Sequence, residues 1–132
     1  MKFMVCYEET GPSRAILKEA KEHARAWNAT LEVVKTVTRE LPIKHSKIIK
    51  MEKELETGVR DQINDDTVTY NVQLLVTSLE SGEQLVKFAD EEKVDLIFIG
   101  IIKKSKVGKL LFGSTAQYVI LQAPCPVVTV KV

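Results

Sequence analysis

The sequence predicts a single α/β domain: one doubly wound sheet of five parallel strands with helices on both faces. Three observations carry that prediction. Apolar, β-branched runs alternate with segments of helical periodicity along the chain, the pattern of parallel strands joined by crossover helices. Several runs are almost continuously apolar, as strands buried on both faces are. No linker, low-complexity tract or internal repeat divides the 132 residues, so the domain is expected to span 1–132.

The elements follow in order. Residues 3–7 form a short apolar run, read as the first strand. Thr10-Gly11-Pro12-Ser13 then supplies a turn, a proline suited to a first helical turn, and capping hydroxyls. Ile16, Ala20, Ala24 and Trp27 recur at helical spacing, with Trp27 expected in the core or packed at the helix end and Asn28 as the stop. Residues 31–37 are the second strand. In the next helix Ile48, Met51, Leu55, Val59 and Ile63 fall on one stripe. Val68, Tyr70, Val72, Leu74 and Val76 alternate, which places a third strand there, ending near Thr77. Ser81-Gly82-Glu83-Gln84 has the spacing of a capping box, and Leu85, Phe88 and Ala89 make the buried stripe of a third helix. Residues 94–99 form the fourth strand, Gly113-Ser114-Thr115 opens a fourth helix reaching about Gln122, and residues 126–132 form the fifth strand after the Ala123-Pro124-Cys125-Pro126 turn.

Composition removes several function classes. Apolar residues make up 45% and charged residues 28%, as in ordinary globular proteins. A formal net charge of +1 gives no global attraction to nucleic acid or acidic membranes, so neither is expected as a partner and any basic patch must be local. Cys6 and Cys125 lie far apart, each in or beside an apolar run, which suits two buried thiols better than a disulfide framework. The start of the chain lacks a signal-peptide core and no apolar stretch nears membrane-spanning length, so a cytoplasmic location is expected.

Doubly wound sheets bind ligands beyond the carboxyl ends of their strands, where the strand order reverses. The unusual residues lie there. Gly100 follows Ile99 at the end of a buried strand, where a missing side chain lets a ligand approach the backbone. Gly113-Ser114-Thr115 places a glycine, two hydroxyls and free N–H groups at a helix start, an anion site by dipole and hydrogen bonding. Lys103, Lys104, Lys106 and Lys109 between them add positive potential. The residues alone fit a solvated basic loop ahead of a well-capped helix equally well.

Residues 100–130 resemble the closing region of the universal stress protein family, whose nucleotide-binding members carry G-x2-G-x9-G-[ST]. Here the spacing is Gly100, two residues, Lys103, nine residues, Gly113, Ser114, with lysine in place of the middle glycine. Gly113-Ser114-Thr115-Ala116 and Ala123-Pro124-Cys125-Pro126-Val127-Val128 are similar to the family's ending, and the first strand, the Pro12-Ser13 turn, Val94-Asp95-Leu96-Ile97 and the length extend the resemblance over the whole chain. It implies strand order 3-2-1-4-5, with ATP or another adenine nucleotide, with or without magnesium, held between the first and fourth strands. The implied nucleotide-binding residues are Tyr7, Glu8, Thr36, Ile99, Gly100, Lys103, Gly113, Ser114 and Thr115. Glu8 stands where the family usually has aspartate, and Thr36 where it more often has valine. A lysine at 103 costs roughly 1–2 kcal/mol if that position needs a positive φ; otherwise its side chain turns outward or reaches a phosphate as a point charge.

Catalysis has little support in the sequence. His23 and His45 lack a Cys, Asp or second His at ligand or triad spacing, and adjacent Glu8 and Glu9 point in different directions. Asp95 is expected to be structural. No enzyme activity beyond slow, incidental ATP hydrolysis is expected. Two functions from different classes fit: a nucleotide-binding regulatory protein of the stress response, and a nucleotide-free dimeric interaction module. A flavin-binding electron-transfer subunit of related architecture is more distant. The family resemblance implies a homodimer through the strand at 126–132, whose apolar, β-branched edge invites pairing with a second copy.

Overall fold

The computed structural model describes residues 1–8, 12–101 and 113–131. Five strands and four helices alternate: β1 (Lys2–Cys6), α1 (Pro12–Trp27), β2 (Thr30–Thr38), α2 (His45–Ile63), β3 (Tyr70–Thr77), α3 (Ser81–Glu91), β4 (Leu96–Ile101), α4 (Ser114–Gln122) and β5 (Val127–Lys131). All pairings are parallel, and the strand order is β3-β2-β1-β4-β5, as expected. The order reverses between β1 and β4, which opens a crevice at their carboxyl ends.

Strand alternation divides the core in two. Phe3, Val5, Tyr7, Leu31 and Val33 face Ile16 and Leu17 of α1 and Leu55, Val59 and Ile63 of α2. Met4, Cys6, Val34, Ile97 and Ile99 face Leu85 and Ala89 of α3 and Ala116 and Val119 of α4. Burial of both sheet faces explains the continuous apolar runs of β1 and β4. The edge strand β3 has no fully buried residue, which is why its sequence alternates instead.

Helix ends set how the chain returns to the sheet. Asn28, Asn64 and Lys93 have φ of 52°, 39° and 52°, the left-handed conformation that closes a helix, and each follows one of the first three helices. Asn28 is the stop its sequence context predicts. At the amino edge Asp95 is structural: its Oδ2 accepts from the Lys2 backbone N–H at 2.9 Å and its own N–H donates to the Lys2 carbonyl at 2.8 Å, fixing β1 against the start of β4.

Three expectations are corrected. Trp27 is 63% exposed at the end of α1 rather than packed. Of the predicted α2 stripe, Leu55, Val59 and Ile63 are buried, but Ile48 and Met51 are only half-buried. Ser81 does not cap α3: the cap position is Glu80, no side chain bonds there, and Ser81 Oγ instead accepts from Thr36 Oγ1 at 2.9 Å. The competing partner at the end of β2 wins, because it lies across the helix start in the folded chain.

Candidate functional site

At the carboxyl edge of the sheet a cavity of about 480 Å3 opens between the ends of β1, β2 and β4 and the first turns of α3 and α4. Its volume lies in the range of small-molecule sites, roughly 300–1,000 Å3. Cys6, Ile16, Val34, Leu85, Ile99 and Ala116 give it apolar walls, and Glu8, Lys35, Thr36, Ser81, Ser114 and Thr115 add polar groups. An apolar slot with a few convergent polar groups suits a ligand with a flat, hydrophobic part and a charged part.

Eight of the nine residues singled out by sequence line this cavity: Tyr7, Glu8, Thr36, Ile99, Gly100, Gly113, Ser114 and Thr115. Lys103 lies outside the described residues, as do Lys104, Lys106 and Lys109. Tyr7 differs from the others in what it offers. Its ring belongs to the core beneath α1 and α2, and its hydroxyl accepts from Gln62 Nε2 at 3.0 Å.

The two helix starts that meet the cavity differ in charge. In α4 the N-cap is Gly113, with no side-chain cap bond and no acidic residue in the first turn. The N–H groups of Ser114, Thr115 and Ala116 therefore have no intrahelical acceptor, and among the described residues no side chain caps the positive end of the helix dipole. The hydroxyls of Ser114 and Thr115 are likewise not used in capping. In α3, Glu83 sits in the first turn and partly offsets the dipole. An anionic group is therefore favoured at α4 over α3. Gly113 has φ −62° and ψ 157°, open to any residue, and a Cβ built on it meets nothing within 4 Å. What the glycine contributes is open space beside free donors, which a side chain would fill.

Three further residues shape the site. Ser13, 3% exposed, turns its Oγ back from α1 to accept the Glu8 N–H at 2.7 Å, which pins the backbone on which the Glu8 carboxylate is carried. Sequence context marked Ser13 only as a capping hydroxyl. Ser81 enters through its bond to Thr36. Gln84, 3% exposed, donates from Nε2 to the Leu79 carbonyl at 2.8 Å, while Thr38 Oγ1 donates to the same carbonyl at 2.9 Å, and together they tie the end of β2 to the turn before α3. No local sequence signal marks Lys35, whose place at the cavity follows from strand register alone.

The thiols are held protonated. Burial first, then the nearby negative charge of Glu8, pushes the Cys6 pKa far above the ordinary thiol range. Burial, then Asp95, raises that of Cys125, which is half-buried rather than buried. A protonated thiol is a poor nucleophile. Among the described residues no group of three or more His, Cys, Asp or Glu side chains is placed to hold a metal ion. Nor is any described helix long and apolar enough to cross a membrane.

A five-stranded parallel sheet of this order, with a crevice at the switch point and a helix start beside it, defines a doubly wound α/β domain whose ligand site is expected at that edge. Comparison with known proteins narrows the class. The sequence model of the universal stress protein family matches residues 1–131, and the chain belongs to that family. Its structure superposes on a universal stress protein from Archaeoglobus fulgidus with a TM-score of 0.80 and 31% identity, covering 97% of this chain and 96% of that one. A universal stress protein from the same organism, solved in complex with dAMP, gives a TM-score of 0.74 and 26% identity, covering 97% and 94%. A universal stress protein of Mycolicibacterium smegmatis is 36% identical over 73 residues, 55% of this chain and 55% of that protein. The match thus spans about half the length of that relative.

Proposed function

We propose that this protein is a regulatory member of its family that binds ATP or a related adenine nucleotide in the cavity between β1 and β4. The observation that carries the proposal is the convergence of Glu8, Thr36, Gly100, Gly113, Ser114 and Thr115, from the end of β1, from β2 and β4, and from the start of α4, on a single cavity beside the amino end of α4. The dAMP complex of the A. fulgidus relative supports an adenine nucleotide as the ligand. In this reading the phosphates lie against the N–H groups and hydroxyls at the start of α4, and the base lies among the apolar walls toward the end of β2. Glu8 accepts hydrogen bonds from the ribose or base, and Lys103 supplements the charge around the phosphates. Regulation rather than turnover is proposed because the cysteine among the described lining residues, Cys6, is held protonated and so is a poor nucleophile. We further propose a cytoplasmic homodimer formed through β5, the edge strand opposite β3.

Isothermal titration calorimetry with ATP, ADP and AMP tests the site. Gly113→Val with Ser114→Ala should weaken binding by at least about tenfold, since one charge-assisted hydrogen bond is worth roughly 1.5–3 kcal/mol. Equal affinity in variant and parent would remove the site from consideration. Failure of the parent to bind any adenine nucleotide, with a large gain on Lys103→Gly, would favour the nucleotide-free interaction module. Dimerisation is tested separately by light scattering. Val130 is 9% exposed and in the core, so the informative change is at exposed Thr129: Thr129→Lys should shift a dimer toward monomer.

A further inference from the structure

Helix α2 buries only the later part of its apolar stripe. Its inward stripe is buried at Leu55, Val59 and Ile63, whereas Ile48 and Met51 on the same stripe are half-buried and Ile49 beside them is 39% exposed. The segment leading into the helix adds Leu41, 78% exposed. The first two turns of α2 and the strand-to-helix connection therefore carry apolar surface that the domain does not use.

Charge on the same segment is lopsided. Residues 39–53 hold five cations, Arg39, Lys44, Lys47, Lys50 and Lys53, against two carboxylates, Glu40 and Glu52, a surplus of three in a chain of net charge +1. All five cations are exposed, and among the described residues none of them forms an ion pair. Lys44 and Lys47 crowd the positive end of the helix dipole, with no acidic residue in the first turn and no side-chain cap. That arrangement works against the helix on its own. A local rule broken without evident compensation is expected at functional or strained sites.

We propose that residues 39–53 form a docking surface for an acidic protein segment that carries aliphatic side chains. Carboxylates of the partner would meet Lys44, Lys47 and Lys50, and its aliphatic groups would cover Leu41, Ile49 and the exposed parts of Ile48 and Met51. Charge complementarity selects acidity, and the apolar residues among the cations select protein over nucleic acid. The segment has no Phe, Trp or Tyr on which a base could stack. An interfacial membrane helix needs a broad apolar face along its length, and the rest of this stripe is already in the core. The surface is small, so binding belongs to the weak, transient class. The proposal does not depend on nucleotide binding.

Fluorescence anisotropy with a labelled peptide of glutamate and leucine, patterned to put its leucines on one helical face, tests this on the full chain. The parent should bind, less tightly as salt rises. Lys44→Glu, Lys47→Glu and Lys50→Glu together should lower affinity by about tenfold. That variant should melt no lower than the parent, because carboxylates at a helix start are favourable, so loss of binding is separable from unfolding. Leu41→Ser with Ile49→Ser should weaken what binding survives in high salt. No binding by the parent, equal binding by the triple variant, or equal binding of the lysine-for-glutamate peptide would overturn the proposal. So would tighter binding to phosphatidylserine vesicles or to oligothymidylate than to the peptide, which would assign the surface to membrane or nucleic acid.

Discussion

Gly82→Ala probes fold and site together. Gly82 is buried in the first turn of α3, where that helix meets α4. A Cβ added there would lie 2.9 Å from Tyr118 Cβ, 2.9 Å from its Cδ1 and 3.0 Å from its Cγ. Rotating the Tyr118 ring can relieve the Cγ and Cδ1 contacts, but Cβ is fixed to the backbone of α4, so one helix must move. Glycine-to-alanine within a helix ordinarily stabilises by roughly 0.5–1 kcal/mol. Overpacking of a well-packed interface costs about 1–3 kcal/mol. The clash should win, with a net loss of roughly 1–2 kcal/mol and a Tm lower by about 3–8 °C. Ser81 precedes Gly82, and Ser114, Thr115 and Ala116 begin α4, and all four line the cavity. Separating the helices therefore widens the cavity, and nucleotide affinity should fall along with stability. Thermal unfolding by circular dichroism and calorimetric titration check the two effects. A Tm raised by the alanine would refute the account of close helix approach, because only the propensity gain would then operate.

Gly113→Ala should behave in the opposite way: with open space around the added methyl, stability should stay within about 0.5 kcal/mol of the parent in urea unfolding, while adenine-nucleotide affinity falls. Ser13→Ala removes the acceptor for the Glu8 N–H and should cost about 1–3 kcal/mol in the same assay, with nucleotide affinity lowered as the Glu8 backbone loses its anchor. Cys6 gives a pH dependence with a definite sign. Its folded pKa is raised, so the folded state holds a proton that the unfolded state releases, and stability present below the ordinary thiol value of 9.0 should decline as pH rises above it. Cys6→Ala should remove that alkaline decline, measured as Tm from neutral pH upward.

How much was legible beforehand differs from residue to residue. The order of β and α elements, the two-sided burial of β1 and β4 and the stop at Asn28 follow from local periodicity and backbone preference, which act over a few residues and are written directly in the chain. The glycine-hydroxyl start of α4 was visible for the same reason. Ser81 shows the limit: its spacing to Gln84 fits a capping box, yet the hydroxyl pairs with Thr36, 45 residues earlier, because folding brings a nearer partner.

Ser13 and Lys35 belong to the site for reasons of position alone. One turns back across the β1–α1 connection and the other is carried to the cavity by strand register. The partial burial of α2 is also tertiary: periodicity marks five stripe positions, but only packing in the folded chain decides that Ile48 and Met51 stay half-buried. Sequence alone thus determined which segments are strands and helices, and which positions of each are apolar. The meeting of Glu8, Thr36, Ser81 and Ser114 around one space was decided by the sheet, because the crossovers bring distant strand ends to a common edge.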